Sequence, residues 1–378
     1  MSSSYAPYFG GVEEHVRHVA RELQRDEIDV EVWTVDRGES LGVRVVDGIT
    51  VRYLPTPLPA RTRRAAAHFV RRFPSAWREW MAAAREFRPQ VLHVHCFGPN
   101  GPYALGLRRR LRVPLVLTSH GETFMDDRGV FQSSALLRSG LRRAIAQASA
   151  VTAPSEYVLA DLRRTYGLTG GTVVPNGVDR DLHEHADAAT RPDGTQYLLG
   201  VGRLGAMKGF DLLIEAFASA ELGPEVHLVI GGDGPERARL EELIERRGLE
   251  DRIEMVGRLG PTSVARAMAG ALAVVVPSRV EAFGIVALEA WRSGAPLVMT
   301  SRGGAPGFVR DGDDGILVDP LDTPALASAL REVTSNAGLR NRLAAAGRAR
   351  VGEFTWARVA HAYEEQYAAA SGLRVSPR

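Results

Sequence analysis

Residues 281–289 read EAFGIVALE, and this stretch indicates how the second half of the chain folds. It follows an apolar run, residues 271–276, that is typical of a buried parallel strand, and it leads into a helical pattern. This order places one carboxylate, Glu281, in the loop and a second, Glu289, about two turns further on. Gly284 allows close backbone approach, and amides at a helix N-terminus attract anions. Such a place can hold a diphosphate while the carboxylates accept hydrogen bonds from sugar hydroxyls. Taken alone, a loop glutamate and a solvated helix glutamate are the commoner arrangement.

Length and composition limit the class of protein. The 378 residues suffice for two domains, and 45% hydrophobic with 24% charged residues is typical of a soluble globular chain. The single cysteine, Cys96, excludes an intrachain disulfide framework; its apolar strand pattern favours a core thiol. The chain has no apolar run of about 18 residues and no signal-peptide pattern at its start, so we expect a cytoplasmic protein.

Positive charge is concentrated in the first half. Residues 1–180 hold 25 basic and 18 acidic side chains, and between Arg52 and Arg112 there are 13 arginines but only two acids, Glu79 and Glu86. This imbalance suggests an anionic partner: a membrane surface, a phosphorylated acceptor or nucleic acid.

Lysine is nearly absent. Of the 47 basic residues, 46 are arginine, and the one lysine is Lys208. An ammonium is a compact charge on a flexible stem, unlike a planar guanidinium. We infer that position 208 requires an ammonium, which would bind a phosphate.

The first half begins with an incomplete βα pattern. A doubly wound domain normally opens with an apolar strand, yet only nine polar or aromatic residues precede Gly10 and Gly11. We expect either a fold without its first strand or a start codon further upstream, and favour the second. The two glycines begin a helix with an apolar stripe from Val12 to Leu23, where amides can meet a phosphate.

The basic stretch from Ala60 to Arg88 carries aromatic residues at helical spacing and is interrupted by Pro74. It predicts either a surface helix on anionic lipid headgroups or a pair of helices with aromatics packed inward, and the second is slightly favoured.

Histidines lie on the strands of the first half. His93 and His95 share one face of a strand, but no third ligand of convincing spacing follows, so we expect no metal. His120 closes the next strand, at the sheet edge where open α/β folds bind ligands, and is a candidate site residue.

A second βα series starts after a polar stretch, residues 178–195, with His183, His185 and Asp187, which we interpret as a solvated linker. Its glycine loop, GVGRLGAMKGF at 200–210, places Arg203 and Lys208 before a helix, a good diphosphate clamp but not a P-loop.

Six motifs in order resemble one family. They are GGVEEHV at 10–16, SHGE at 119–122, PNGVD at 175–179, GRLGAMKG at 202–209, GGDGP at 231–235 and EAFGIVALE at 281–289. Together they resemble the retaining glycosyltransferases of family 4, the "group 1" transferases of GT-B architecture. The resemblance implies an α/β fold of two Rossmann-like domains facing across a cleft. It further implies an acceptor-side domain at 1–180, a nucleotide-sugar domain at 181–355, and a C-terminal helix and tail, 356–378, packing back on the first domain.

The resemblance also implies roles for named residues. Glu289 matches the carboxylate on the nucleotide ribose, and Glu281 the one near the donor sugar. Arg203 and Lys208 match the cations on the diphosphate, and His120 the histidine beside the donor sugar. The implied catalytic residues are therefore His120, Arg203, Lys208 and Glu281. The implied donor-binding residues are Gly10, Gly11, Arg203, Lys208, Gly232, Asp233, Val256, Phe283, Gly284, Ile285 and Glu289.

The predicted function is transfer of a hexose-type sugar from a nucleotide-diphosphate sugar to a hydroxyl acceptor, with retention and without metal or cofactor. The basic, aromatic first domain suggests a lipid-linked or phosphorylated acceptor. It also suggests peripheral contact of the protein with the anionic inner face of the cell membrane. The alternatives are an epimerase or hydrolase of the same architecture and a catalytically silent nucleotide-sugar-binding protein. Nucleic-acid binding through the arginine-rich segment is poorly supported. Gly307 departs from the acid that the family usually shows there.

Overall fold

The computed structural model describes residues 1–8, 10–59, 63–126, 129–179 and 195–372. The chain divides into two compact units: residues 1–175 together with the segment from Trp356, and residues 176–355. The predicted linker around His183, His185 and Asp187 lies outside the described residues.

The first unit is a layered α/β structure. Its strands are β1 (Glu31–Val35), β2 (Val43–Val46), β3 (Ile49–Leu54), β4 (Leu92–His95), β5 (Leu115–Thr118), β6 (Ala150–Ala153) and β7 (Thr172–Val173). Its helices are α1 (Gly11–Arg25), α2 (Arg63–Phe87), α3 (Gly101–Leu111), α4 (Val130–Ser133), α5 (Ala135–Gln147), α6 (Glu156–Tyr166) and, from the end of the chain, α13 (Trp356–Ser371).

The strands of this unit pair as two groups, β1-β3-β2 and β4-β5-β6-β7. Residues 1–8, the described part of the chain before Gly10, form no full strand. Instead Ser2 makes isolated parallel bridges to Thr34 of β1 and His95 of β4. Met1 and Ser2 are therefore the only link between the edges of the two groups that the described backbone provides.

Helix α13 completes the first unit by packing on α1. The hydroxyl of Tyr363 lies 2.9 Å from Nε2 of His15, and the ring of Trp356 stacks on His18 with centroids 5.0 Å apart. The end of the chain thus returns to the first unit after the second unit is complete.

Helix α2 differs from the prediction for residues 60–88. Pro74 lies inside a continuous helix, so the predicted pair of helices is wrong. Proline removes one backbone donor, but its fixed φ suits a helix, and aromatic packing holds the flanking turns together. Trp80 is fully buried and donates to the carbonyl of Pro55 at 2.9 Å, which confirms the inward packing of that aromatic. Phe73 and Val70 are exposed.

The second unit is a single parallel sheet covered by helices. Its strands are β8 (Gln196–Val201), β9 (Val226–Gly231), β10 (Ile253–Gly257), β11 (Ala273–Val276), β12 (Leu297–Thr300) and β13 (Ile316–Val318). Its helices are α7 (Phe210–Ser219), α8 (Arg237–Arg247), α9 (Pro261–Gly270), α10 (Ile285–Arg292), α11 (Thr323–Ser335) and α12 (Ala337–Arg350).

The strand order of this sheet is β10-β9-β8-β11-β12-β13. The apolar runs that predict the four inner strands are buried on both faces, as parallel strands covered by helices require, whereas the edge strands β10 and β13 are mostly half-buried. Leu198 belongs to the core cluster on one face and its neighbour Leu199 to the cluster on the other.

No helix in the described part of the chain is long and apolar enough to cross a membrane.

The contact between α12 and α10 yields a test of the second core. A Cβ added at Gly347 would lie 2.3 Å from Cδ1 of Trp291, a buried side chain, whereas Gly338 on the same helix is exposed. We expect Gly347→Ala to lower the free energy of unfolding by about 1–3 kcal/mol through overpacking. Gly338→Ala should be neutral or slightly stabilising. Denaturant unfolding of both variants checks this, and equal effects would contradict the packing described.

Candidate functional site

The second sheet has a topological switch point at its middle strand. β8 pairs with β9 on one side and β11 on the other, and the chain crosses to the β11 side only after β10. In open α/β sheets, ligands bind beyond the carboxyl ends of the strands at such a point. The loops that follow β8 and β11 flank it, and these loops contain Arg203, Lys208 and Glu281.

A direct ion pair joins these two loops. Nζ of Lys208 lies 2.7 Å from Oε2 of Glu281, and the hydroxyl of Ser278 donates to the same oxygen at 2.9 Å. Glu281 is only 4% exposed, whereas the side chain of Lys208 is 32% exposed. An ammonium has three donors, so Lys208 can bind Glu281 and still offer N–H groups to an anion. Sequence reasoning missed Ser278, a small polar residue three positions before Glu281.

Close backbone contacts hold the β8 loop in place. Gly209 has φ +67°, and a Cβ there would lie 2.1 Å from the carbonyl oxygen of Pro277 in the β11 loop. Gly232 after β9 has φ +147°, and a Cβ there would lie 1.9 Å from the carbonyl oxygen of Gly202. Larger residues at either position would push the loops apart, which explains the glycines of both motifs.

The cations near the switch point differ in what they contact. Arg279, in the β11 loop, donates to both carboxylate oxygens of Asp211 at 2.8 and 2.7 Å and is therefore engaged within the protein. Arg302 pairs with Asp319 at 3.0 Å. Arg203 is exposed and forms no ion pair within the described part of the chain. Of the four cations compared here, Arg203 and Lys208 are therefore the two with donors available for an incoming anion.

The backbone of Glu281 is fixed by the loop after β12. Its amide donates to the carbonyl of Arg302 at 3.0 Å, and its carbonyl accepts from the amide of Gly304 at 2.8 Å. Gly303 has φ +115°, and a Cβ there would lie 2.1 Å from the Glu281 carbonyl oxygen. The loops after β8, β11 and β12, which are neighbours in the sheet, thus determine where this carboxylate lies.

Helix α10 begins beside the ion pair. Gly284 is its N-cap with φ +95°, and no side chain caps the helix. The ring of Phe283 is buried against Phe308, with centroids 4.2 Å apart, so only the backbone of Phe283 is suited to contact a ligand. Ile285 is the first residue of the helix, and Glu289 lies half-buried one turn further on.

The remaining predicted donor residues follow β9 and β10. Asp233 is exposed, and its Oδ1 accepts from the amide of Gly234 at 2.8 Å. The Gly232 amide donates to the carbonyl of Gly257 at 2.7 Å, so the ends of the two strands are tied together. Val256 is half-buried and packs against the core.

The first unit holds a separate cluster of histidines. The ring nitrogens of His15, His95 and His120 lie within 4.8 Å of one another, and Nδ1 of His95 lies 3.2 Å from Nε2 of His120. Gly10, the N-cap of α1, and Gly11, its first residue, precede His15 on the same helix. Sequence reasoning missed His15, although its i, i+4 spacing to the buried Val19 could have indicated that it faces inward.

Burial depresses the pKa of three histidines in and beside this cluster, His93, His95 and His120, well below the usual histidine value. Glu122 fixes the adjoining loop: it accepts from the amide of His120 at 2.8 Å and from the hydroxyl of Ser119 at 2.9 Å. His120 is therefore presented as a neutral imidazole. That no metal binds here stays a prediction.

Two families match the chain. Residues 9–182 match the family described as Glycosyltransferase Family 4, and residues 183–350 match Glycosyl transferases group 1.

Known proteins are similar to this chain over most of its length. An alpha-D-kanosaminyltransferase from Streptomyces kanamyceticus is 32% identical over 69% of this chain and 72% of its own length. A D-inositol 3-phosphate glycosyltransferase from Xylanimonas cellulosilytica is 30% identical over 97% of this chain and 93% of its own.

Two solved structures share the fold. Sucrose-phosphate synthase from Thermosynechococcus elongatus superimposes with a TM-score of 0.82, at 25% identity, over 95% of this chain and 93% of its own. HepE from Anabaena, solved with UDP and glucose, has a TM-score of 0.76 and 21% identity over 97% of this chain and 98% of its own. The predicted GT-B architecture is thereby confirmed.

The buried ion pair gives a double-mutant prediction. Lys208→Met leaves the carboxylate of Glu281 buried without its cation and should cost about 1–3 kcal/mol, less than a fully buried pair because Lys208 is partly exposed. Adding Glu281→Gln removes the unpaired charge and should restore part of the loss. Denaturant unfolding of the single and double variants measures the coupling, and additive effects would contradict it.

The histidine cluster gives a pH prediction. Because these pKa values are depressed in the folded state, protonation favours unfolding, and stability is lost as pH falls below about 6.5. The melting temperature should drop between pH 7.5 and pH 5. His95→Gln should flatten this dependence, while the exposed His68→Gln should leave it unchanged. An unchanged slope in His95→Gln would count against the buried, neutral state.

Proposed function

Since this chain belongs to the group 1 glycosyltransferases, we propose that it moves a hexose-type sugar from a nucleotide-diphosphate sugar to a hydroxyl acceptor. Transfer retains the anomeric configuration and needs no metal ion.

The observation that carries the proposal is the group of cations at the switch point. Lys208 is held by Glu281 with N–H groups to spare, Arg203 is exposed in the same loop, and α10 begins beside them. A diphosphate needs this combination of point charge, guanidinium and helix amides. The two cations also stabilise the negative charge that develops as the sugar leaves, a task that a metal ion performs in other enzymes.

The remaining predicted residues bind different parts of the donor substrate. Glu289 accepts hydrogen bonds from the ribose, and Glu281 accepts them from the donor sugar. The amides of Gly284 and Ile285 contact the diphosphate, together with those of Gly10 and Gly11. Gly232, Asp233 and Val256 border the base, and the amide of Phe283 adds a further donor.

The reaction follows from this placement. The bond between the anomeric carbon and the phosphate oxygen breaks, and the acceptor oxygen bonds to the same face of that carbon. The acceptor proton passes to the leaving phosphate oxygen. Neutral His120 lies beside the donor sugar and orients a hydroxyl. The chain contributes mainly positioning and electrostatics.

The acceptor is proposed to be lipid-linked or phosphorylated, and the protein to act in the cytoplasm at the inner membrane face. Helix α2 supports this, because exposed Val70 and Phe73 lie among the exposed arginines Arg71 and Arg72. The D-inositol 3-phosphate relative acts, by its name, on a phosphorylated acceptor.

Nucleotide binding is the first functional test. One of UDP, GDP and ADP should raise the melting temperature, since a ligand at 100 times its Kd adds about 2.7 kcal/mol. EDTA should make no difference. Lys208→Met should lose the shift, while Arg246→Met, an exposed arginine on α8, should keep it. A shift that needs a divalent cation would contradict the metal-free clamp.

Turnover distinguishes the related functions. Donors of the selected nucleotide, offered with sugar, inositol phosphate and lipid acceptors, should yield a glycoside whose anomeric configuration by NMR is that of the donor. Glu281→Ala should be inactive. Free sugar alone would favour a hydrolase, an isomerised donor an epimerase, and binding without release a silent binder.

Membrane contact is tested by co-sedimentation. The protein should bind vesicles of phosphatidylglycerol and phosphatidylcholine at low salt and less at high salt. Phe73→Asp should weaken binding several-fold, whereas Val43→Asp, an exposed apolar residue on β2, should not. Absence of binding at low salt would refute the membrane version.

A further inference from the structure

His95 contacts the candidate site residue His120 directly. It is the last residue of β4 and is buried, whereas His120, just beyond the end of β5, is half-buried. Nδ1 of His95 lies 3.2 Å from Nε2 of His120. This contact engages Nε2 of His120 and leaves its Nδ1 for another partner.

A hydrogen bond between two neutral imidazoles links the tautomers of both rings. Burial lowers the pKa of His95 and of His120, so near neutral pH each ring carries one N–H group and one lone pair. If Nδ1 of His95 donates, the hydrogen of His120 lies on its Nδ1. If Nδ1 of His95 accepts, Nδ1 of His120 carries a lone pair. The tautomer of His95 therefore decides whether His120 offers a ligand a donor or an acceptor.

Aromatic neighbours restrict the ring of His95. The ring of His93, on the same face of β4, lies beside it with centroids 3.9 Å apart, and the ring of Tyr363 meets it edge-on at 5.8 Å. His93 is itself held at both nitrogens, because Nδ1 lies 2.7 Å from the hydroxyl of Tyr367 and Nε2 lies 2.7 Å from Oγ1 of Thr118. The ring of His95 therefore packs against side chains that have fixed positions of their own.

His15 packs against both rings of the pair. Its imidazole is fully buried and meets His120 edge-on, with centroids 4.7 Å apart, and lies 5.3 Å from His95. Its Nε2 lies 2.9 Å from the hydroxyl of Tyr363. Side chains of α1 and α13 thus hold the two histidines in place, and all of these elements belong to the first unit.

We propose that His95 is a positioning residue that holds His120 in one tautomer and one ring orientation, with Nδ1 of His120 left for a substrate hydroxyl. The inference rests on the proposed function, because His95 acts through His120 and contacts no substrate itself. A single tautomer gives that hydroxyl one hydrogen-bonding arrangement, so the site is organised before the substrate enters. No bond to His95 forms or breaks in the reaction.

The ring nitrogen chemical shifts of His120 test this positioning without turnover. In protein labelled with 15N-histidine at about pH 8, one nitrogen should be of the N–H type and the other of the lone-pair type. Loss of these resonances in His120→Gln assigns them. His95→Leu removes the partner of Nε2 and should give averaged shifts from exchange between two tautomers. The matched control is His93→Leu, which removes an imidazole from the same strand face whose nitrogens bond to Tyr367 and Thr118 instead, and it should leave the shifts unchanged.

Kinetics then separate positioning from packing. His95→Leu should lower kcat about 10- to 100-fold and change KM for the donor less than about threefold. His95→Asn carries an amide near the place of Nδ1 and should restore kcat to within about threefold of the unaltered protein. His93→Leu should lower the melting temperature but keep kcat.

Unchanged kcat in His95→Leu, or equal losses of kcat in His95→Leu and His93→Leu, would overturn the proposal, and so would a mixture of His120 tautomers in the unaltered protein. If His95→Leu does not fold, His95→Gln replaces it in both measurements, since its amide lies near the place of Nε2 rather than Nδ1. If the unaltered protein transfers no sugar, the proposed function fails, while the nitrogen shifts still decide whether His95 positions His120.

Discussion

The ion pair between Lys208 and Glu281 is the interaction on which the candidate site depends. It joins the loops on the two sides of the switch point through a contact of 2.7 Å between Nζ of Lys208 and Oε2 of Glu281. The carboxylate is buried and would be costly without a cation, which keeps the lysine where it is needed. The same ammonium still has donors for a ligand, so one residue both stabilises the loops and provides charge for binding.

The glycines make this arrangement possible. At Gly209, Gly232 and Gly303 a neighbouring carbonyl oxygen occupies the space that a Cβ would need. Each contact joins loops that follow different strands, so the site is built from backbone packed against backbone. In the first unit the candidate residue His120 is positioned differently, because the half-buried carboxylate of Glu122 accepts hydrogen bonds from the amide of His120 and the hydroxyl of Ser119.

Much of the fold could be predicted because buried parallel strands are apolar runs bounded by glycine and proline, and the structure confirms the predicted strands of the second unit. Part of the site could be predicted because charged residues that follow predicted strands, such as Arg203, Lys208 and Glu281, mark the ligand-binding edge of the sheet. Contacts between distant residues were not. Nothing in the sequence indicates that Arg279 is engaged by Asp211, that His15 joins His95 and His120, or that Phe283 stacks on Phe308. The prediction of a helix break at Pro74 was wrong because aromatic packing on both sides of the proline holds the helix together.

The most direct test of the central claim is the affinity of the stabilising nucleoside diphosphate for the protein and for Lys208→Arg, measured by titration calorimetry. The charge is retained, but a planar guanidinium cannot bond to Glu281 and a phosphate from the position of a compact ammonium. We predict that Lys208→Arg weakens the binding of the nucleoside diphosphate by about 10- to 100-fold and leaves the affinity for the corresponding nucleoside unchanged. Equal affinity of both proteins for the diphosphate would contradict it.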